Sequence, residues 1–130
     1  MEISTISFTV TPIYIGLNIL LALALAWQVV AERRKGDEAD QEVIHHRQRV
    51  HANLVEYAPM ALMMFAALEL MGLDKPYVHA FNAIFFIARL AHAQGYGSSI
   101  GFTPGRFYGT LTTWITMAVA SLTGIVLAIL

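Results

Sequence analysis

Residues 12–30 have the sequence PIYIGLNILLALALAWQVV, in which no side chain is charged. A membrane-spanning helix needs about 20 mostly apolar residues, so this segment predicts a transmembrane helix. The alternative is a cleaved signal peptide, which carries a basic region ahead of its apolar stretch. The residues ahead of this stretch, MEISTISF, include Glu2 but no lysine or arginine. We therefore interpret residues 12–30 as a membrane span.

The composition of the whole chain agrees with a membrane location. Hydrophobic residues make up 57% of the sequence and charged residues only 13%, against roughly 25% charged residues in a soluble domain. So few charges would not cover a globular surface in water. The chain has no cysteine, which excludes a disulfide, a thiolate metal site and a cysteine nucleophile. The net charge of −1, without a basic patch, argues against a nucleic-acid partner.

Three polar or glycine-rich connections divide the chain into four predicted helices. The connections are ERRKGDEADQE (Glu32–Glu42), GLDKP (Gly72–Pro76) and GYGSSIGFTPG (Gly95–Gly105). We expect one domain over residues 1–130, with helices at about 12–31, 41–71, 76–95 and 106–130. Because every backbone polar group must be satisfied inside the bilayer, the fold class predicted is an all-α membrane bundle with up-down-up-down topology.

The basic residues predict the orientation of this bundle. Seven of the eight lysines and arginines would lie at one end, and only Lys75 at the other. Positively charged loops remain on the cytoplasmic side of a membrane. We therefore expect the loop around Gly36 in the cytoplasm, both chain ends on the opposite side, and the polar side chains of interest near the cytoplasmic face.

A polar stripe runs along the predicted second helix. Arg49, Asn53 and Glu56 are spaced i, i+4 and i+7, which places them on one face. Arg49 and Glu56 are separated by about 10 Å of helical rise, too far for an ideal direct pair, so each is expected to need a partner on another helix or a bound ligand. The alternative is that the stripe only holds helices together through polar contacts.

The predicted third helix repeats this spacing with Arg89, His92 and Tyr96. Arg89 is expected either to pair with Glu56 or to point into the same cavity as Arg49. Tyr96 is interpreted as a cap on that cavity or as an aromatic anchor at the membrane interface.

The fourth helix is predicted to open with TPGRFYGTLTTW, which places Arg106 in its first turn. A helix N-terminus has unpaired N–H groups and a partial positive charge, so Arg106 there indicates an anion site. The alternative is an arginine whose charge reaches the membrane surface. Tyr108 lies close to Arg106 in the sequence.

Other polar residues receive structural interpretations. The histidines His45, His46 and His51 lack the spacing of a helical zinc site, so no metal is expected. Asn18 predicts a hydrogen bond between helices, and Glu69 a helix end reaching the membrane surface. Pro59 removes one backbone hydrogen bond, and we expect a kink that opens space for a ligand beside the polar stripe.

The segment RVHANLVEYAP (Arg49–Pro59) resembles the second helix of the MAPEG family, the membrane-associated proteins of eicosanoid and glutathione metabolism. Their signature has the form R-x-x-x-N-x-x-E, often followed by an aromatic residue and a proline. It is matched here by Arg49, Asn53, Glu56, Tyr57 and Pro59. The segment ARLAHAQGY is similar to the family's third helix. The chain departs from the pattern between Tyr96 and Arg106, where the better-known mammalian synthases carry more arginines.

The resemblance implies a homotrimer that binds glutathione between neighbouring subunits, in a bacterial inner membrane. It implies glutathione as co-substrate, a lipophilic small molecule and membrane lipid as the other partners, and a detoxifying transferase or peroxidase reaction. Some members only bind lipids, so a non-catalytic lipid or glutathione binder is the alternative. The implied catalytic residues are Arg106 and Tyr96. The implied glutathione-binding residues are Arg49, Asn53, Glu56, Tyr57, Arg89 and His92.

Overall fold

The structure is a computed structural model that describes residues 6–98 and 103–130, without the side chains of residues 95–98. This part of the chain forms four α-helices: α1 (Thr11–Arg33), α2 (Gln41–Leu70), α3 (Lys75–Ser98) and α4 (Pro104–Ile129). Helices α1, α2 and α4 are each long and apolar enough to cross a membrane. The predicted all-α membrane bundle is therefore confirmed.

Successive helices run in opposite directions. The end of α1 lies beside the beginning of α2, where Nη1 of Arg47 donates a hydrogen bond of 2.9 Å to the carbonyl oxygen of Gln28. We call this end of the bundle, at which α1 and α3 finish and α2 and α4 begin, the basic end. At the opposite end, the beginning of α1 contacts the end of α2 and the first turns of α3.

Two capping side chains and one glycine set helix boundaries. Oδ1 of Asp40 caps α2 by accepting from the backbone N–H of Glu42 at 2.9 Å and of Val43 at 3.3 Å. The hydroxyl of Thr103 caps α4 in the same way. Gly72 ends α2 with a φ of 94°, a conformation that glycine adopts without steric cost.

The centre of the bundle is filled by phenylalanine and small apolar residues. Phe65 of α2 is fully buried and stacks on Phe81 at a ring-centroid distance of 6.0 Å. It also meets the edge of Phe85, which lies on α3, at 5.7 Å. Aromatic pairs in these arrangements add about 0.5–1.5 kcal/mol beyond their buried area, and they fix α3 against α2.

A buried carboxylate caps the N-terminus of α1. Glu69 of α2 is only 4% exposed, and it accepts hydrogen bonds from the backbone N–H groups of Thr9 (2.9 Å), Val10 (2.8 Å) and Thr11 (2.7 Å). These N–H groups have no partner within the helix, and an anion also suits the positive end of the helix dipole. The prediction that Glu69 reaches the membrane surface is therefore wrong, because the unpaired amides of α1 hold it inside.

We expect Glu69→Gln to destabilise the protein by about 1.5–3 kcal/mol, the value of hydrogen bonds to a charged group. Glutamine has one carbonyl oxygen where the carboxylate uses both, and its NH2 group would face backbone donors. Thermal unfolding in detergent, followed by circular dichroism, measures the effect. Glu38→Gln, at an exposed acidic residue, is the control. An unchanged midpoint for Glu69→Gln would mean that the cap contributes nothing to stability.

Pro59 lies within α2, which remains one helix from Gln41 to Leu70. A groove of about 380 Å³ lies beside it, as expected, but the groove is formed with α1. Its α2 residues lie on the face opposite Asn53, as the helical spacing requires. The groove therefore lies away from Asn53, although Pro59 lies three residues after Glu56 and on the same side of α2.

Asn18 of α1 is buried beside this groove. Its Nδ2 donates to the carbonyl oxygen of Tyr14, one turn earlier in the same helix, at 2.7 Å. The expectation of a hydrogen bond from Asn18 to another helix is therefore wrong.

Candidate functional site

A buried arginine forms the centre of the candidate site. Arg89 of α3 is only 2% exposed, and its Nη1 donates a hydrogen bond of 2.7 Å to Oδ1 of Asn53 on α2. Its guanidinium carbon lies 5.7 Å from the centre of the Tyr57 ring, one turn further along α2. Three of the predicted site residues are thus in direct contact. Arg89 does not form an ion pair with Glu56, which was one of the two expected arrangements.

The guanidinium of Arg89 is only partly satisfied. Its Nε and Nη2 atoms are buried and have no hydrogen-bond partner in the described structure. A buried charge without a paired anion is costly, and within a membrane the cost is about 2.5–3.5 kcal/mol or more. Two adjacent N–H donors of an arginine match the geometry of a carboxylate. The arrangement can therefore accept an anionic group at Arg89.

His92 follows Arg89 by one turn of α3 and is 3% exposed. It lies within electrostatic reach of both Arg89 and Arg106. His92 therefore lies close to an arginine on its own helix and to one on α4.

A glycine brings the beginning of α4 against α3. A Cβ added at Gly109 would lie 2.7 Å from the carbonyl oxygen of Ala88 and 2.8 Å from the backbone nitrogen of His92, closer than carbon atoms can approach. Arg106 is three residues before Gly109 and hence on the same face of α4. The close packing at Gly109 was not predicted from the sequence. The available signal was a small residue one turn after Arg106.

Arg106 itself is half-buried in the first turn of α4. Its backbone N–H donates to the hydroxyl of Thr103 at 3.2 Å, so the helix starts directly before this arginine. The positive end of the helix dipole and the guanidinium are therefore close to each other. This arrangement can stabilise a negative charge placed near it.

Arg49 and Glu56 contact each other, contrary to expectation. The distance between Nη1 of Arg49 and Oε1 of Glu56 is 3.8 Å, and both side chains are about half exposed. Their long side chains extend along the helix and bridge the two turns that separate them. The prediction that the two side chains are too far apart to pair is therefore wrong for this structure. The distance between the two charged groups is long and both are exposed, so each group can exchange this partner for another.

The comparison with known proteins identifies the family. A sequence model of the MAPEG family matches residues 11–126. The chain belongs to the MAPEG family. It is similar to the inner membrane protein YecN of Escherichia coli strain K12, with 29% identity over 92 residues that cover 67% of this chain and 70% of YecN. YecN of Escherichia coli O6:H1 gives the same values.

The MAPEG signature on α2 presents its side chains to different surroundings. Asn53 and Tyr57 point towards α3, where they meet Arg89. Arg49 and Glu56 lie on the outer surface of the helix bundle. The predicted polar stripe is therefore split into an inner contact and an outer pair.

The remaining predicted residues of this MAPEG chain are a tyrosine near the end of α3 and a tyrosine near the beginning of α4. Tyr96 falls in the last turn of α3, where the side chains are outside the described part. Tyr108 is 62% exposed, and its ring packs against that of Phe107 at 5.1 Å. Among the described residues, no group of three histidine, aspartate or glutamate side chains is placed to hold a metal ion.

Proposed function

We propose that this MAPEG protein is a glutathione-dependent enzyme that conjugates lipophilic electrophiles or reduces hydroperoxides. The observation that carries the proposal is the buried guanidinium of Arg89, whose Nε and Nη2 donors have no partner in the described structure. Glutathione supplies the missing anion, since it carries two carboxylates. The apolar surroundings in the membrane suit the lipophilic second substrate.

Each polar part of glutathione has a matching group in the proposed site. Arg89 takes one carboxylate, and Arg49 takes the other after releasing Glu56. Glu56 then receives the ammonium group. Oδ1 of Asn53 accepts from Arg89, which orients the amide so that its NH2 group can donate to a peptide carbonyl. Tyr57 and His92 form the wall beside the Arg89 guanidinium.

The proposed chemistry begins with ionisation of the bound thiol. The thiol proton is released to water, and the thiolate is the nucleophile. Its sulfur forms a bond to the electrophilic carbon, while the bond from that carbon to the leaving group breaks with its electron pair. Arg106, with the beginning of α4, stabilises the negative sulfur. Tyr96 is proposed as the hydroxyl donor to the same atom, with Tyr108 as its substitute.

Isothermal titration calorimetry of the detergent-solubilised protein with glutathione tests the proposal. Binding heat is expected for glutathione, and a smaller heat for a glutathione diamide, which lacks both carboxylates. Equal heats would show that the arginines do not bind the carboxylates. No heat for either compound would leave the polar residues with a purely structural role.

We further propose that three copies assemble and that glutathione lies between neighbours. The half-exposed Arg49–Glu56 pair supports this assembly. It lies on the outside of one subunit, on a helix that crosses the membrane, where charged groups in contact with lipid are costly. A neighbouring subunit would cover the pair and add the second wall of the site.

The orientation follows from the distribution of charge. We expect the basic end to face the cytoplasm of a bacterial inner membrane, with both chain ends on the other side. A reporter fused after residue 130 should be active outside the cytoplasm, and a reporter inserted at Gly36 should be active inside. Activity of both reporters on the same side would contradict the orientation.

A further inference from the structure

The outer face of α1 carries an exposed apolar stripe that ends at an arginine. The stripe consists of Leu20, Leu23, Trp27 and Val30, whose exposed fractions lie between 41% and 64%. Their spacing of three or four residues places them on one face of the helix. Arg34 is exposed and continues the same face four residues after Val30. The buried residues of α1 lie on its opposite side, so the described part of the chain leaves this stripe uncovered.

The side chain of Arg34 extends back along α1 to Trp27. Its guanidinium carbon lies 5.9 Å from the centre of the Trp27 ring, although seven residues, or about 10 Å of helical rise, separate the two positions. An arginine near a membrane surface commonly extends its charge outwards to water. Tryptophan rings occupy the level of the lipid headgroups. The contact with Trp27 therefore places the charge of Arg34 at the headgroup level.

The buried carboxylate beside Arg34 already has other partners. Glu32 binds Nζ of Lys35 at 2.7 Å and Nη1 of Arg47 at 3.6 Å, and it accepts from the backbone N–H of Asp40 at 3.1 Å. Within the described residues, Arg34 forms no ion pair with any carboxylate, including those of the loop between α1 and α2. Its guanidinium is therefore available to an anion from outside the chain.

Two properties limit which molecule fits this face. It must present an anion at the level of the Trp27 ring, and it must carry an apolar chain that covers the stripe. A phospholipid has both parts, whereas a soluble anion lacks the second. A headgroup with a net negative charge suits a single guanidinium better than a zwitterionic headgroup, which brings its own ammonium group.

We propose that the α1 stripe and Arg34 form a binding site for an anionic phospholipid. The guanidinium donates hydrogen bonds to the phosphate oxygens, a geometry for which arginine is suited. The Trp27 ring lies behind the guanidinium and fixes its position. An acyl chain of the lipid lies along Leu23 and Leu20. The site uses residues of α1 alone and does not depend on glutathione.

Trp27 itself provides the readout, because the chain has only two tryptophans, Trp27 and Trp114. The Trp114→Phe variant is reconstituted in vesicles of equal parts phosphatidylglycerol and phosphatidylcholine. Bromine atoms on an acyl chain quench a tryptophan that they contact, and either one lipid or the other is brominated. The ratio of the two quenching constants measures the lipid preference at Trp27. We expect a preference of roughly 5-fold for phosphatidylglycerol, the contribution of one arginine near the surface.

Two arginine variants in this background make the result specific. Arg34→Gln should abolish the preference. Arg33→Gln is the matched control, because it removes the same charge from an exposed neighbour that lies on another side of α1 from Trp27. It should keep the preference. Gel filtration before reconstitution and an unchanged emission maximum of Trp27 establish that each variant is folded with Trp27 at the same depth.

Three results would overturn the proposal. Equal quenching by the two lipids before substitution of an arginine would show that Trp27 and Arg34 only anchor α1 at the membrane surface. An equal loss of preference in both arginine variants would assign it to the general charge of the basic end. Quenching by neither lipid would show that protein, such as a second copy, covers the stripe. No glutathione is present in these samples, so the outcome is separate from the proposed function.

Discussion

Arg89→Met is expected to weaken glutathione binding roughly 30-fold to several thousand-fold, corresponding to about 2–5 kcal/mol for one partner of a buried charge pair. The substitution removes the donors that face the ligand and leaves a carboxylate without its partner in an apolar setting. Calorimetry of the detergent-solubilised protein measures the loss. Arg89→Lys should restore only part of the affinity, because an ammonium group lacks the paired donors of guanidinium.

The stability of ligand-free Arg89→Met separates binding from a structural role. The substitution removes a buried charge and its two unpartnered N–H groups, although Asn53 loses its hydrogen bond. Replacement of such a charge by an apolar side chain is often neutral or stabilising. We therefore expect an unchanged or higher unfolding midpoint without glutathione. A large decrease, with binding intact, would identify Arg89 as a structural contact between α2 and α3.

Substitution of Arg49 is expected to weaken glutathione binding less than substitution of Arg89, because the Arg49 side chain is half exposed and the Arg89 side chain is buried. Arg49→Ala should weaken glutathione roughly 10- to 150-fold, from the loss of about 1.5–3 kcal/mol in one charge-assisted bond. Unchanged affinity in a folded oligomer would remove Arg49 from the proposed site.

Arg106→Ala is expected to reduce the thiolate of bound glutathione at pH 7 about 25-fold, from roughly 75% to roughly 3% of the complex, while glutathione remains bound. The pKa of a free thiol of the cysteine type is about 8.5, so most of the thiol is protonated at neutral pH. Lowering that pKa by about two units requires roughly 2.7 kcal/mol of preferential stabilisation of the thiolate. A guanidinium at a helix N-terminus, aided by a hydroxyl donor, is of a strength to supply it.

The thiolate is measured by its ultraviolet absorbance in the glutathione complex, and turnover by conjugation of chlorodinitrobenzene. Both signals should fall together in Arg106→Ala, whereas Arg106→Lys should retain part of each. Tyr96→Phe and Tyr108→Phe show which hydroxyl assists. If the wild type binds glutathione but gives neither thiolate nor turnover with several electrophiles, the protein is a non-catalytic binder.

The architecture was predictable because each helix carries its own signal. The uncharged segment at residues 12–30, the polar connection at Glu32–Glu42 and the turn at Gly72–Pro76 all act locally, so the sequence alone identifies them. Helical spacing grouped Asn53 with Arg49 and Glu56, and the resemblance to the MAPEG signature added Tyr57. The contact of Asn53 and Tyr57 with Arg89 depends on how α2 and α3 pack, and the sequence left two partners open for that arginine.

The wrong or missed predictions concern contacts that depend on how side chains and helices are arranged in the folded protein. Glu69 was assigned to the membrane surface because a carboxylate near a helix end usually reaches water, yet three backbone amides of α1 bind it inside. The Arg49–Glu56 contact was excluded from the rise of an ideal helix, although long side chains extend along the axis. Gly109 was overlooked, since the close approach of α3 and α4 appears only after they pack.

The carboxylate of Glu69, which caps α1, is synthesised later than the amides that it binds. The three amides that it binds precede Glu69 by 58 to 60 residues. At about 5–20 residues per second, a ribosome completes the partner roughly 3–12 s after those amides are made. The first helix therefore leaves the ribosome with its leading amides uncapped, and it waits for the far end of the second helix. The two helices therefore depend on each other during insertion, because α1 reaches its final hydrogen bonding only once α2 has crossed the membrane.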